Sequence, residues 1–522
     1  MKKLLIIAIA FAQAIAVSAQ ETYEMATIET PDLNGTARYV GMGGAMEALG
    51  ADLSTISSNP AGIGLFRRSQ ASVSFGFVSQ AGAEETRDVS PTRMSFDQAG
   101  FVLSTNTSEN KVSFFNFAFN YSKSRNFSQI LSAANSAYNG SSQNKQTFGK
   151  IRSGIVTDPN DKTYTPVDYT YFNANGNGLL YVLGDTCFDA TEYGMDRGVK
   201  GYIGNFDFNI SGNIQNRVFL GLTVGIKDVH YEASSRYGET LIDDSLRTLG
   251  VALNDERIIT GTGFDVKAGI IIRPIETSPF RIGAWVSSPT YYKLRSSMFT
   301  ALGTSDTGIS PTTIEETYRY KFYTPWKFGL SLGHTVGQSL AIGASWEYAD
   351  YNATNPRIDE GGYYDGWYGD YYEHTSKDEC MARNVKESLK GTHTLKVGAE
   401  FKPTPEFALR LGYNYVSAMY KDGGYKDPSV WSLGNYYTSQ TDFTNWKATN
   451  RITAGLGYSS KNFFADVAYQ YSTQKGDFYP FTNGTFSYKN AEDKMVSIEN
   501  IPQITEVKNN RHQLLVTLGY KF

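Results

Sequence analysis

Beyond residue 70 the chain alternates with a period of two. Val73, Phe75 and Phe77 alternate with Ser72, Ser74 and Gly76, and Phe115, Phe117, Phe119 and Tyr121 alternate with Asn116, Ala118 and Asn120. Val218, Leu220, Leu222, Val224 and Ile226 interleave with Phe219, Gly221, Thr223 and Gly225. Phe264, Val266, Ala268, Ile270 and Ile272 interleave with Asp265, Lys267, Gly269 and Ile271. Successive side chains of a strand point to opposite faces, so each segment carries one apolar face and one small or polar face. Fourteen such strands can be traced, near residues 71–79, 96–104, 112–122, 203–213, 217–231, 260–274, 280–294, 318–333, 339–350, 393–402, 407–420, 450–458, 463–473 and 511–522.

Alternation alone fits a soluble sandwich, whose apolar faces point into a core, and a transmembrane barrel, whose apolar faces point to lipid. The connections separate the two. Thr105–Asn110, Asn213–Asn216, Pro274–Pro279, His334–Gln338, Pro403–Glu406 and Ser459–Asn462 are short and rich in turn formers. Between them lie long connections, the largest near residues 123–202 and 351–392. Short periplasmic turns alternating with long extracellular loops, on an even number of strands, mark an outer-membrane barrel. The expected fold is all-β: a 14-stranded antiparallel transmembrane β-barrel over residues 71–522, with both ends on the periplasmic side.

The last strand carries Leu514, Val516, Leu518, Tyr520 and the terminal Phe522 on one face, with Thr517 and Lys521 on the other. Tyr520 and Phe522 resemble the terminal membrane-insertion signal that barrel-assembly machinery reads. Tyr231, Trp326, Trp346, Tyr348, Tyr413 and Tyr415 lie near strand ends, where interfacial aromatic girdles belong.

Residues 1–19 read as a cleaved signal peptide: Lys2 and Lys3, an apolar run from Leu4 to Val17, and a small-residue site at Val17-Ser18-Ala19. After it no apolar run approaches the roughly twenty residues a membrane helix needs. Residues 20–70 remain. They are rich in Gly and Ala and too few for a core of their own, so they are expected to pack inside the barrel as an N-terminal plug, or hatch.

The Gly41–Gly44 and Ser58-Asn59-Pro60-Ala61-Gly62 segments resemble the FadL/TodX family of outer-membrane transporters for long-chain fatty acids and aromatic hydrocarbons. So do the strand-end phrases Phe280-Arg281-Ile282-Gly283-Ala284-Trp285-Val286-Ser287-Ser288-Pro289 and Thr324-Pro325-Trp326-Lys327-Phe328-Gly329-Leu330. The resemblance implies a fourteen-stranded barrel closed by a hatch, with Asn59, Pro60 and Ala61 in that hatch near an apolar ligand pocket. It implies passive uptake of fatty-acid-like or aromatic molecules by loop capture, pocket binding, hatch movement and lateral release beside a kinked third strand. Strand three, near Lys111–Ser122, contains neither Gly nor Pro to mark that kink. The same barrel family includes PorV-like components of a protein secretion or surface-assembly system, which is the alternative function. The implied partners are hydrophobic small molecules, outer-membrane lipid and lipopolysaccharide, and the assembly machinery. The implied state is a monomer in the outer membrane of a Gram-negative bacterium.

Composition adds exclusions. Lys plus Arg (48) nearly balances Asp plus Glu (52), so no basic stripe for nucleic acid exists. Two cysteines and five scattered histidines give no metal-ligand spacing, and no metal or cofactor is expected. Cys187 and Cys380 both map to extracellular loops, where oxidising conditions permit a disulfide. Gly329-Leu330-Ser331-Leu332-Gly333 matches a G-x-S-x-G pattern but lies within an alternating strand instead of at a strand-to-helix turn, so no enzyme is expected. Phe127–Ala134 has the apolar spacing of a short amphipathic helix. The aromatic run Gly361–Tyr372 suits ligand contact or loop packing, and Asp359, Asp365 and Asp370 around it lack EF-hand spacing.

Overall fold

A computed structural model of the chain describes residues 21–86, 89–107, 112–152, 187–242, 248–305, 312–365, 370–427, 441–490 and 492–522. The signal peptide expected over 1–19 lies outside them. The strands are β1 (Gln70–Gln80), β2 (Thr92–Asn106), β3 (Val112–Asn126), β4 (Gln129–Ser136), β5 (Asp189–Ile214), β6 (Val218–Ile242) and β7 (Thr248–Ile272). There follow β8 (Arg281–Ser287), β9 (Tyr291–Thr304), β10 (Thr312–Tyr323), β11 (Lys327–Val336), β12 (Leu340–Asp350), β13 (Asn355–Asp365), β14 (Asp370–Lys377) and β15 (Gly391–Phe401). The last are β16 (Phe407–Val416), β17 (Phe443–Ser459), β18 (Phe463–Tyr479), a separate hairpin of β19 (Gly484–Lys489) and β20 (Met495–Asn500), and β21 (Thr505–Lys521).

All pairings are antiparallel, and β1 closes on β21 from Gln70↔Lys521 to Gln80↔Arg511. Five staves of the wall are built from two strands each: β3 with β4, β8 with β9, β11 with β10, β12 with β13, and β15 with β14. The barrel therefore has fourteen staves. Pro289 and Pro325 interrupt two of the divided staves, as expected of a residue that cannot donate to a ladder.

Outside, Leu220, Leu222 and Ile226 are 43%, 50% and 44% exposed, while Phe219 and Thr223 between them are buried. The same alternation exposes Leu330, Leu332, Leu411, Ile452, Leu456 and Leu518. A closed barrel ringed by apolar side chains fits lipid as its solvent, since no backbone edge is left unpaired at that depth. β5, β6 and β7 hold 26, 25 and 25 residues, more than twice what a spanning strand needs. Their upper halves stand clear of the membrane, enclosing Leu131, Met195, Tyr237, Leu241, Leu253 and Phe478 in an apolar cluster across the mouth.

The long connections are thus shorter than the sequence implied. Of residues 123–202, β3, β4, helix α3 (Gln143–Arg152, after α1 and α2 below) and the start of β5 take a large part. Phe127–Ala134 is not a helix: β4 begins at Gln129 and pairs with β5 from Gln129↔Val199 to Ser136↔Glu192, the strand ladder overriding a weak helical period. Residues 351–392 contain the β13–β14 hairpin and helix α4 (Glu379–Ser388). The aromatic run Gly361–Tyr372 and its aspartates fall largely on side chains outside those described.

The N-terminal segment fills the lumen. Helices α1 (Thr22–Glu29) and α2 (Ala37–Gly41) and two 3-10 turns, Leu53–Ser57 and Pro60–Leu65, each begin at a capping side chain: Glu21, Thr36, Asp52 and Asn59. The apolar residues of this plug bury themselves on the wall; Ala37 and Val40, for instance, share a cluster with Ala468 and Leu515. Lumen-facing glycines let backbone meet backbone. A Cβ on Gly343 would lie 1.9 Å from Ala45 O, and one on Gly398 would lie 2.2 Å from Met42 O.

Candidate functional site

Between α1, the chain that follows it and the barrel wall lies a cavity of about 410 Å³. Its apolar lining comes from Tyr23, Ala26 and Ile28 of α1, and from Phe127, Val199, Ile203, Ile259, Tyr292, Met419, Tyr420 and Phe443 of the wall. Tyr23 stacks on Tyr420 at 5.1 Å between ring centroids and tilts against Phe443 at the same distance. The lining also carries twelve Lys and Arg side chains against seven Asp and Glu, among neutral polar residues. This cavity is amphipathic, not the purely apolar pocket that the family resemblance implied.

Ion pairs, some of them lining the cavity, tie the hatch to the wall. Glu24 accepts from Arg257 at 2.7 Å, Glu47 from Lys396 at 2.9 Å, and Arg38 is bidentate on Glu400 at 2.9 and 3.0 Å. Glu400 also accepts from Arg410, which reaches on to Asp466. Asp32 faces three arginines from three staves: Arg125 at 3.2 Å, Arg511 at 3.7 Å and Arg451 at 3.8 Å. Burial would raise its pKa, but the three guanidinium groups and the Asn126 amide hold the carboxyl below its usual range. Glu29 is the opposite case. Burial pushes its pKa up to about 8, although the Thr354 hydroxyl lies 2.8 and 2.9 Å from its oxygens and Lys327 attracts the charged form.

Asp32 also explains the third stave. The Asn126 amide donates to its carboxylate at 2.9 Å, and the Asp32 amide donates to Ser124 O at 2.7 Å. Just beyond, β3 ends and β4 begins, with Phe127 and Ser128 between them. The Phe127 amide donates to the carbonyl of Gly201 on β5, at a position whose φ of +110° favours glycine. The interruption absent from strand three as a Gly or Pro is thus supplied by a glycine on its neighbour and an aspartate of the hatch. β2 pairs with β3 only as far as Gln98↔Ser122. On that side β4 has no ladder partner among the described residues; the Gln80 side chain bonds instead to Ile130 N and O at 2.8 and 2.6 Å. Phe127, which lines the cavity, therefore sits at a break in the hydrogen-bonded wall.

No family model and no curated protein matches the sequence. Among solved structures it is similar to the toluene transporter TodX of P. putida, at 12% identity over 94% of this chain and 99% of that one, with a TM-score of 0.49. It is also similar to a FadL homologue of Pseudomonas aeruginosa (12% identity, 94% and 99% covered, TM-score 0.48). The toluene transporter TbuX of Ralstonia pickettii is a third (11%, 94% and 99%, 0.46). These neighbours are of the kind that the hatch and strand-end phrases resemble.

Asn59, Pro60 and Ala61 lie in the hatch but do not line the cavity; their neighbours Ser57 and Ser58 do. Asn59 Oδ1 accepts from the Ala61 amide at 3.1 Å and caps the turn, while Asn59 Nδ2 donates to Ile270 O at 3.4 Å. Pro60 O accepts from Asn209 at 3.4 Å, and a Cβ on Gly221 would lie 2.3 Å from it. The motif packs directly against the wall. Sequence reasoning missed Asp32 and its arginines; their one signal is a charged residue at a lumen-facing position of an alternating strand, as with Arg451 between Asn450 and Ile452.

Cys187 and Cys380 are free thiols, one half-buried and one exposed, so the disulfide considered between them is not formed. Cys187 precedes β5, whereas Cys380 sits in the first turn of α4. Ser331 lies mid-strand in β11, its hydroxyl packed beside Gly283. Three histidines lie beside aromatic rings near the upper ends of spanning segments: His230 with Tyr202, His393 with Trp346 and Tyr348, and His512 with Tyr469 and Tyr471. No group of three metal-ligating side chains occurs among the described residues.

Proposed function

We propose that this chain is an outer-membrane channel for passive uptake of hydrophobic small molecules, and that its ligand carries an acidic head on an apolar body. The observation that carries the proposal is the cavity between hatch and wall, which meets the break between β3 and β4 at Phe127. An apolar solute gains about 0.8 kcal/mol per CH₂ buried, so it is drawn from the polar outer layer into the cavity without an energy source. The excess of Lys and Arg favours a carboxylate over a neutral aromatic hydrocarbon. Release follows when the hatch shifts: Asp32 leaves the Asn126 amide, the β3–β4 break loosens, and the ligand passes sideways into lipid.

The test is ligand retention. Detergent-purified protein is incubated with oleate or with toluene, desalted, extracted and analysed by mass spectrometry beside an unrelated barrel. Oleate retained specifically by this protein, and weakened at least several-fold by Met419→Asp in the apolar lining, is expected. Equal retention by the unrelated barrel, or no retention of either compound, would overturn the reading.

A further inference from the structure

The outer face of β7, β9, β10 and β13 is ordered in rows that follow the height of the wall. Lowest is an aromatic row in which Phe264, Tyr291 and Tyr323 are register partners; Tyr291 and Tyr323 meet edge to face at 4.7 Å. Next come Thr262, Lys293, Lys321 and Arg357, again in register across the four strands. Above them stand Thr260, Arg295 and Arg319. Then follow Ile258, Ser297 and Thr317, the two hydroxyls 2.9 Å apart, and finally Glu256, Phe299 and Glu315. Alternation puts these residues on the outer face, since Tyr292, Leu294, Ser296, Tyr318, Tyr320 and Phe322 between them are buried in the lumen; Lys321 alone among the cations is itself covered, at 8% exposure.

Two features of the basic rows stand out physically. Lys293 is paired directly with Lys321, and Arg295 directly with Arg319. Like charges opposite one another destabilise a sheet, and in the Arg295–Arg319 pair both members are exposed. The rows also sit immediately above the aromatic girdle, at the level where lipid headgroups replace hydrocarbon. Arg357 extends the patch, with its guanidinium 5.3 Å from the Tyr323 ring centre. Arg295 and Arg319 make no hydrogen bond or ion pair among the described residues, and both are exposed. The described acidic side chains of this face, Glu256 and Glu315, stand two rows above the arginines.

We propose that Lys293, Arg295, Arg319 and Arg357 form a docking site for the phosphate groups of a phosphorylated glycolipid of the outer leaflet. The lipid's acyl chains lie against Phe264, Tyr291 and the apolar band below, and its phosphates bridge the opposed cations. The arginine pair presents paired N–H donors suited to bidentate phosphate contact. The bound lipid relieves the like-charge opposition, so it stabilises the wall where β8 gives way to β9 and β11 to β10. The proposal rests on the outer-membrane orientation given above and is independent of the ligand that the lumen carries.

The test uses the full chain in detergent, stripped of lipid, with bisphosphorylated lipid A and its unphosphorylated counterpart as probes counted by native mass spectrometry. The wild-type protein is expected to retain the phosphorylated lipid in preference to the other. Arg295→Gln/Arg319→Gln should lose that preference by about ten-fold or more, given the contribution of each cation near an anionic lipid surface. Lys489→Gln/Lys494→Gln, which removes the same charge from the β19–β20 hairpin region, should keep it. Excess inorganic phosphate should leave the lipid bound. Equal retention by the Gln pair and wild type overturns the proposal, and so does displacement by inorganic phosphate, which would mark a free-anion site. Should the Gln pair fail to assemble, the wild-type comparison decides: equal retention of both lipids refutes the site. Oleate retention in the lumen, measured on the same samples, is expected to be unchanged, so failure here is distinct from failure of the uptake reading.

Discussion

At the scale of single residues the hatch is pinned to the wall by buried ion pairs as well as by apolar contact. Removing one member of a buried pair leaves the other uncompensated, at a cost of about 3–5 kcal/mol. Asp32→Asn strands Arg125, Arg451 and Arg511 together, and it weakens the bonds beside the β3–β4 break. Hydrogen exchange of residues 21–69 should accelerate in that variant while β16 to β18 keep their protection; unchanged exchange would show that the clamp holds nothing. Glu29 gives a pH dependence of definite sign. Its pKa is raised from 4.5 to about 8 by burial, so the stabilising species is the neutral acid. Its contribution is complete below its unfolded value and is lost as pH climbs through about 8. Hatch exchange, corrected for its intrinsic pH dependence, should therefore rise between about pH 4.5 and about pH 8, and Glu29→Gln should flatten that rise. Asn59-Pro60-Ala61 was legible in the sequence as part of the hatch, because its members are neighbours along the chain. The Asp32 cluster was not, because its members come from staves far apart along the chain.

At the scale of elements, the strands were legible because period-two alternation is a direct image of which side faces lipid. Each of the fourteen segments corresponds to a stave. Their upper ends were not, since above the membrane both faces become polar enough to hide the period, as in Glu232–Arg236 of β6. Helix and strand also compete in short apolar runs, and at Gln129–Ser136 the open ladder of β5 decided for strand. The glycines of the wall have a further role, as bare patches on which the hatch rests. Gly343→Leu would drive a side chain into Ala45 O. We expect the barrel to assemble with the hatch displaced, read as protease cleavage within residues 21–69 of a heat-stable barrel. Resistance equal to wild type would contradict this role for Gly343.

At the scale of the whole molecule, closure depends on β21 joining β1, and Phe522 adds a last bond from its amide to Ser69 O at 3.0 Å. Phe522 and Tyr520 are 57% and 52% exposed on the lipid side, which suits recognition before insertion. Deleting Phe522 should reduce assembled barrel in outer-membrane fractions several-fold, with little change in the melting of the molecules that do assemble. The central claim is that uptake requires the hatch to move. A Cβ on Gly41 of the hatch would lie 3.3 Å from the Cα of Gly455 on β17, and one on Gly455 the same from Gly41, so cysteines at the two positions stand within reach of an oxidative cross-link. The decisive measurement is uptake of labelled oleate by cells carrying Gly41→Cys/Gly455→Cys, with Cys187 and Cys380 replaced by serine. Uptake should fall to the level of cells without the barrel when the bond is oxidised and return on reduction. Undiminished uptake through the oxidised, locked protein would contradict the account.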